Sequence, residues 1–188
     1  MLVRLFLLLI LLPVVLTGCV HRIEVRPIPS NHAATTIPRS LQVVADAPLL
    51  EGADHRPGIA LFTWPHEDLE GAVTRYATHR GTFRSVSTDH AELKLQLTTK
   101  LALSSRRGRY HYQIRLQATM HEQEHLVKTY LAEATVAGSL ARWVTASDRD
   151  PIESALQAAL DDLFNQIEAD NSLHNATREE ASGAETVR

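Results

Sequence analysis

The sequence predicts an α+β fold: a two-layer sandwich in which a mainly antiparallel sheet of about four to six strands carries two amphipathic helices on one face. Three observations carry this expectation. From Leu93 to Met120 apolar residues recur mostly at every second position on both sides of a turn centred on Gly108, which is the period of strands with one buried face. From Ile152 to Ile167 they recur at helical spacing, and a second helical stripe lies between Pro65 and Gly81.

Taken in order, Leu41 to Ala45 and Ile59 to Thr63 are short β-like runs separated by a loop that holds Pro48, Gly52, Pro57 and Gly58. The stretch PHEDLEGAVTRYATHRG has the marks of a helix. Pro65 suits a first turn, Glu67 and Asp68 complement the positive N-terminal dipole, and Gly81 suits the C-terminal stop. Leu69, Ala72, Val73, Tyr76 and Ala77 then share one face.

In ELKLQLTTKLAL, Leu93, Leu95, Leu97, Leu101 and Leu103 point one way and Lys94, Gln96 and Lys100 the other. SSRRGR reads as a hairpin turn. YHYQIRLQATM repeats the alternation, with Tyr112, Ile114, Leu116 and Met120 inward and Gln113, Arg115 and Gln117 outward. LVKTYLAEATVAG is a third long strand with weaker alternation. In the last segment Asp150 is placed as N-cap, Pro151 at the first position and Glu153 three residues after the cap, ahead of a stripe running from Ile152 to Ile167.

With 188 residues and 44% hydrophobic composition, the chain suffices for one ordinary domain. Its formal charge of -3 argues against general nucleic-acid binding, which needs a basic footprint to displace phosphate counterions. Cys19 is the only cysteine, so no intrachain disulfide can form.

MLVRLFLLLILLPVVLTGC has one early arginine, a short apolar run broken by Pro13, and small residues before Cys19, the pattern of a secretory signal rather than a membrane span. Leu16-Thr17-Gly18-Cys19 resembles the lipobox of bacterial lipoproteins. That resemblance implies cleavage before Cys19, lipidation of its thiol and acylation of the new amino terminus, with more than one acyl chain giving stable anchoring. Val20 stands where an aspartate would resemble an inner-membrane retention signal, so the expected location is the outer membrane. The expected organisation is therefore a signal peptide over 1–18, a lipidated cysteine and flexible tether over 19–39, one α+β domain over 40–168, and a polar tail over 169–188.

His121-Glu122-Gln123-Glu124-His125 spells H-E-x-x-H, in which two histidines on one helical face hold zinc and the glutamate is the general base. The spacing works only on a helix, and a strand would set the histidines ~13 Å apart at roughly 3.3 Å per residue. Because alternation stops at Met120 and a third strand follows, the motif reads as the turn of a hairpin. A zinc hydrolase using His121 and His125 is thus a remote alternative, with His111 and Glu133 as the nearest candidates for a third ligand. No cofactor is implied.

Arg106, Arg107 and Arg109 cluster in the other turn and could form an interface with lipid or lipopolysaccharide phosphates, although an isolated basic turn is also common surface chemistry. Trp64 and Trp143, beside loops, could anchor an interface as well, although such residues more often cover the edge of a small core. Asp161 and Asp162 diverge on their helix and read as solvent face. Ser104 and Ser105 have no setting for nucleophilic catalysis.

Arg109-Tyr110, Lys128, Val136-Ala137-Gly138, Ala146-Ser147 and the helix from Ile152 to Ile167 resemble the C-terminal half of the YajG family of bacterial lipoproteins. The resemblance implies a non-enzymatic, outer-membrane-associated lipoprotein. The functional expectation is a lipid-anchored accessory module facing the periplasm, held at the membrane through Cys19 and binding an envelope protein through the polar back of its sheet or a free sheet edge. The alternative is a transport auxiliary enclosing a lipid or lipopolysaccharide acyl ligand between sheet and helices.

Overall fold

A computed structural model describes residues 21–52, 62–138 and 146–174. In chain order the elements are β1 (His21–Arg22), β2 (Ile37–Ala45), β3 (Leu49–Gly52), β4 (Phe62–Thr63), α1 (His66–Arg80), β5 (Phe83–Ser87), β6 (Leu93–Arg106), β7 (Arg109–Glu122), β8 (His125–Ala137) and α2 (Ala146–Glu168). The main sheet has six strands in the order β5-β2-β6-β7-β8, with β3 also pairing with β6. It is mostly antiparallel, because the long strands β6, β7 and β8 form two successive hairpins. The α+β sandwich expected from the two hydrophobic periods is the observed architecture.

The parallel part was not legible in the alternation. β2 runs parallel to both β5 and β6, and β3 parallel to β6. Parallel neighbours need a crossover, and α1 supplies it between β2 and β5. The helix starts without a side-chain cap and ends at Gly81, whose φ of 76° is the left-handed conformation glycine adopts without a Cβ penalty.

The core lies between the sheet and both helices. Leu93, Leu95, Leu97, Ile114, Leu116 and Met120 are fully buried against Leu69, Val73 and Tyr76 of α1 and Leu156, Leu160, Leu163 and Phe164 of α2. Tyr76 and Phe164 meet at a centroid distance of 5.3 Å, joining the helices. Trp64 is buried, as expected of a residue at the core edge. Thr99 interrupts the leucine row of β6, and its Oγ1 is one of two buried side-chain polar atoms without a partner among the described residues.

Three boundaries differ from expectation. The segment read as a free tether is extended but seated on the body: Ile23 and Val25 are core residues, the Ile23 N–H donates to Thr63 O at 2.8 Å, and the Ala33 N–H to Arg80 O at 2.8 Å. Its short apolar alternation gives it a face to bury, so the body already includes residue 21. The polar tail also begins later, since Asp170 and Leu173 are buried and residues 171–174 form a helical turn. Finally, α2 starts at Ala146, which puts Pro151 inside the helix and removes Asp150 from the cap position. As the sixth helical residue, Pro151 lies past the orphan N–H groups of the first turn and has no N–H to offer the carbonyl four residues back, and Glu153 accepts from the Arg26 N–H at 2.8 Å instead of closing a capping box.

Candidate functional site

His121 and Glu122 end β7, His125 begins β8, and only Gln123 and Glu124 turn between them. His121 stands opposite Leu126 and His125 opposite Glu122, so the histidines do not share a helical face. A register shift after Met120 and a φ of 55° at Gln123 bend the chain here. Glu122, the would-be general base, is instead ion-paired with Arg39 of β2. Among the described residues no group of three or more His, Cys, Asp or Glu could hold a metal ion. The remote zinc-hydrolase reading of His121 and His125 is therefore corrected, because the motif is used up as a strand turn and an ion pair.

The turn at Arg106, Arg107 and Arg109 is where the sequence placed it. Arg106 and Arg109 face each other across it, and Arg107 and Gly108 have φ of 51° and 79°, the two positive φ values of a type I′ turn that matches strand twist. All three arginines are exposed, and with His111 they line an open hollow. Cys19 and Trp143 lie outside the described residues.

The polar back of the sheet forms a broader surface. Thr98 and Gln117 are exposed on adjacent strands. Arg115 pairs with Glu133 at 2.8 Å and Lys100 with Glu51 at 2.8 Å. The guanidinium of Arg115 and the amide of Gln113 hold the Glu133 carboxyl below its ordinary range. Glu51, Lys100, Ala102, Gln113 and Arg115 line a shallow hollow of about 140 Å³. Leu131, 61% exposed, sits in register with Gln117 on this side, and Leu126 is 60% exposed near the turn.

β8 is a sheet edge, but α2 covers part of it. The Gln166 amide donates to Leu131 O at 2.8 Å, and Lys128 pairs with Asp170 at 2.8 Å. Burial acts to raise the Asp170 pKa, but the Lys128 ammonium, the Ser172 hydroxyl and amide, and the Tyr130 hydroxyl outweigh it and hold the carboxyl far below the usual range. Strand addition along the whole of β8 is thereby obstructed, while the back face remains open.

Sequence reasoning missed a buried polar latch between the helices. Arg80, 3% exposed at its side chain, donates to Glu168 at 2.7 Å, Asn165 at 2.6 Å, Asp161 at 3.2 Å and the Tyr76 hydroxyl at 3.2 Å. Thr82 adds a bond to Glu168 at 2.6 Å. Burial first, then donation to the Asp161 carboxylate, pushes the Tyr76 phenol up, and pairing with Glu168 holds Arg80 firmly charged. Asp161 also accepts from the Ser30 hydroxyl at 2.7 Å, so it belongs to this latch rather than the solvent face. With its partners all satisfied, the latch is structural.

No protein-family model matches the chain, and no curated protein matches it in sequence. The fold is similar to that of a Xanthomonas campestris protein of the family DUF330, with a TM-score of 0.57 and 16% identity over 86% of this chain and 98% of that one. More distant are a hypothetical protein from Chlamydia trachomatis, at TM-score 0.46 and 9% identity over 69% and 96% of the two chains, and a minor lipoprotein from Acinetobacter baumannii, at 0.39 and 15% over 72% and 93%. The comparisons establish the architecture and not membership of the YajG family, because the features that resemble YajG are the strands and helix that determine the fold.

Proposed function

We propose that the protein is a lipid-anchored accessory module of the bacterial envelope, acylated at Cys19, held at the outer membrane and facing the periplasm, where the back of its sheet binds another envelope protein. The observation that carries this reading is the chain just after the lipobox. Only Val20 separates Cys19 from β1, and from β1 onward the chain is built into the fold through Ile23 and Val25. An anchor at Cys19 would therefore hold the whole domain against a membrane surface.

The alternative, a carrier enclosing an acyl chain, loses support because the leucine-rich face is filled by both helices. Leu93, Leu95, Leu97, Leu156 and Leu160 have no exposed surface. A photo-crosslinking residue in place of Gln117, used in intact cells, tests the proposed role. The expected result is one discrete adduct with an envelope protein that disappears in Cys19→Ala; an absent adduct, or one indifferent to Cys19→Ala, would contradict it.

A further inference from the structure

We infer that the arginine turn between β6 and β7 is a membrane foot, seated on the phosphates of anionic lipid headgroups. This inference rests on the proposed anchoring at Cys19 and adds the orientation of the domain. The first observation is where the chain joins the body. Ser30 bonds Asp161, and the Arg26 N–H bonds Glu153. Followed backwards, the chain therefore climbs alongside α2 towards that helix's N-terminal end. Arg22, in register with Thr63, pairs with Asp68 in the first turn of α1. Asp148, in the first turn of α2, meets Tyr112 of β7. The anchor thus attaches at the end of the molecule where β6 and β7 turn.

The second observation is reach. Arg107 lies five residues beyond Tyr112 along the hairpin, a projection of roughly 16 Å at ~3.3 Å per residue. Cys19 stands three residues before Arg22, and three residues span at most ~10 Å. Measured from those two residues, the turn reaches about 6 Å farther than Cys19 can, so a surface held by the Cys19 lipid meets the arginines first.

The third is charge. Among the described residues Arg106, Arg107 and Arg109 have no carboxylate partner, whereas carboxylates nearby are engaged: Glu153 by the Arg26 amide and by Arg149 at 4.0 Å, and Glu51 by Lys100. Glu24, Glu67 and Asp150 are also exposed on the elements that meet at this end, and exposed Arg26 and Arg149 stand among them. Three free guanidiniums suit phosphate oxygens, which they bind through paired N–H donors.

The single cysteine supplies the test. Protein isolated in detergent from cells is treated with a thiol-reactive fluorophore: if Cys19 is acylated the unsubstituted chain stays unlabelled, and labelling there means that the anchoring reading has failed. Ser105→Cys and, just before the far end of β6, His90→Cys then provide unique probe sites. Each is reconstituted into phosphatidylethanolamine vesicles with or without phosphatidylglycerol, both carrying a headgroup-linked nitroxide quencher.

The expected result is strong quenching at Ser105→Cys but not His90→Cys, dependent on phosphatidylglycerol and weakened by salt. Replacing Arg106, Arg107 and Arg109 with glutamine should abolish it, since each arginine near an anionic surface changes occupancy roughly fivefold. Circular dichroism checks that the glutamine variant remains folded. An unlabelled parent chain with equal quenching at both probes, no quenching at Ser105→Cys, or quenching indifferent to phosphatidylglycerol or to the arginines would overturn the inference while leaving the anchor intact.

Discussion

Arg80 shows how one side chain can join two elements that the sequence presents as independent. Its guanidinium reaches Glu168, Asn165, Asp161 and Tyr76 while almost wholly removed from water. Removing a partner from such a set leaves buried charge uncompensated, which costs about 3–5 kcal/mol. Arg80→Met should lower the unfolding free energy by that amount in a denaturant titration, with the midpoint shifted and the slope unchanged; a loss below about 1 kcal/mol would mean that water already screens the latch. At this scale sequence reasoning had little purchase. Arg80 occupies the last turn of a helix, where a basic residue is expected to favour the dipole, and nothing local reveals that Asp161 and Glu168, more than 80 positions later, converge on it.

Elements were more legible where a period ran long. The leucines of β6 and the apolar stripe of α2 define which face is buried, and both are buried as expected. The segment from Arg22 to Arg26 is harder to recognise because its alternation of Ile23 and Val25 is brief and stops at prolines. Its strand partner, β4, has only two residues. The parallel pairing of β2 depends on a crossover through α1, a relation that no local window contains. Where β8 leads towards α2, a Cβ on Gly138 would come within 2.5 Å of the Tyr112 ring, whose hydroxyl donates to Asp148. Gly138→Ala should therefore displace Tyr112 and cost about 1–3 kcal/mol by overpacking, measurable as a lowered thermal midpoint; an unchanged midpoint would show that the ring moves aside freely.

For the whole molecule, the sheet, two helices and N-terminal segment form a single body with distinct surfaces. The helix side is filled, the back of the sheet is polar and open, and one end gathers the arginine turn, the start of α2 and the point where the chain arrives from Cys19. The sequence pointed to the proposed anchor site and to that turn separately; only the three-dimensional path of residues 22–30 leads from that turn's end of the body back towards Cys19. HEQEH illustrates the reverse, since its apparent chemistry dissolves once β7 and β8 are paired through it. The covalent anchor underlies both the proposed role and the orientation of the domain, and intact-mass spectrometry of the protein isolated from bacterial membranes reads it out. The expected species is a chain that begins at Cys19 and carries the added mass of a thioether-linked diacylglycerol and an N-terminal acyl group. A chain cut elsewhere, or one with an unmodified Cys19, would contradict it.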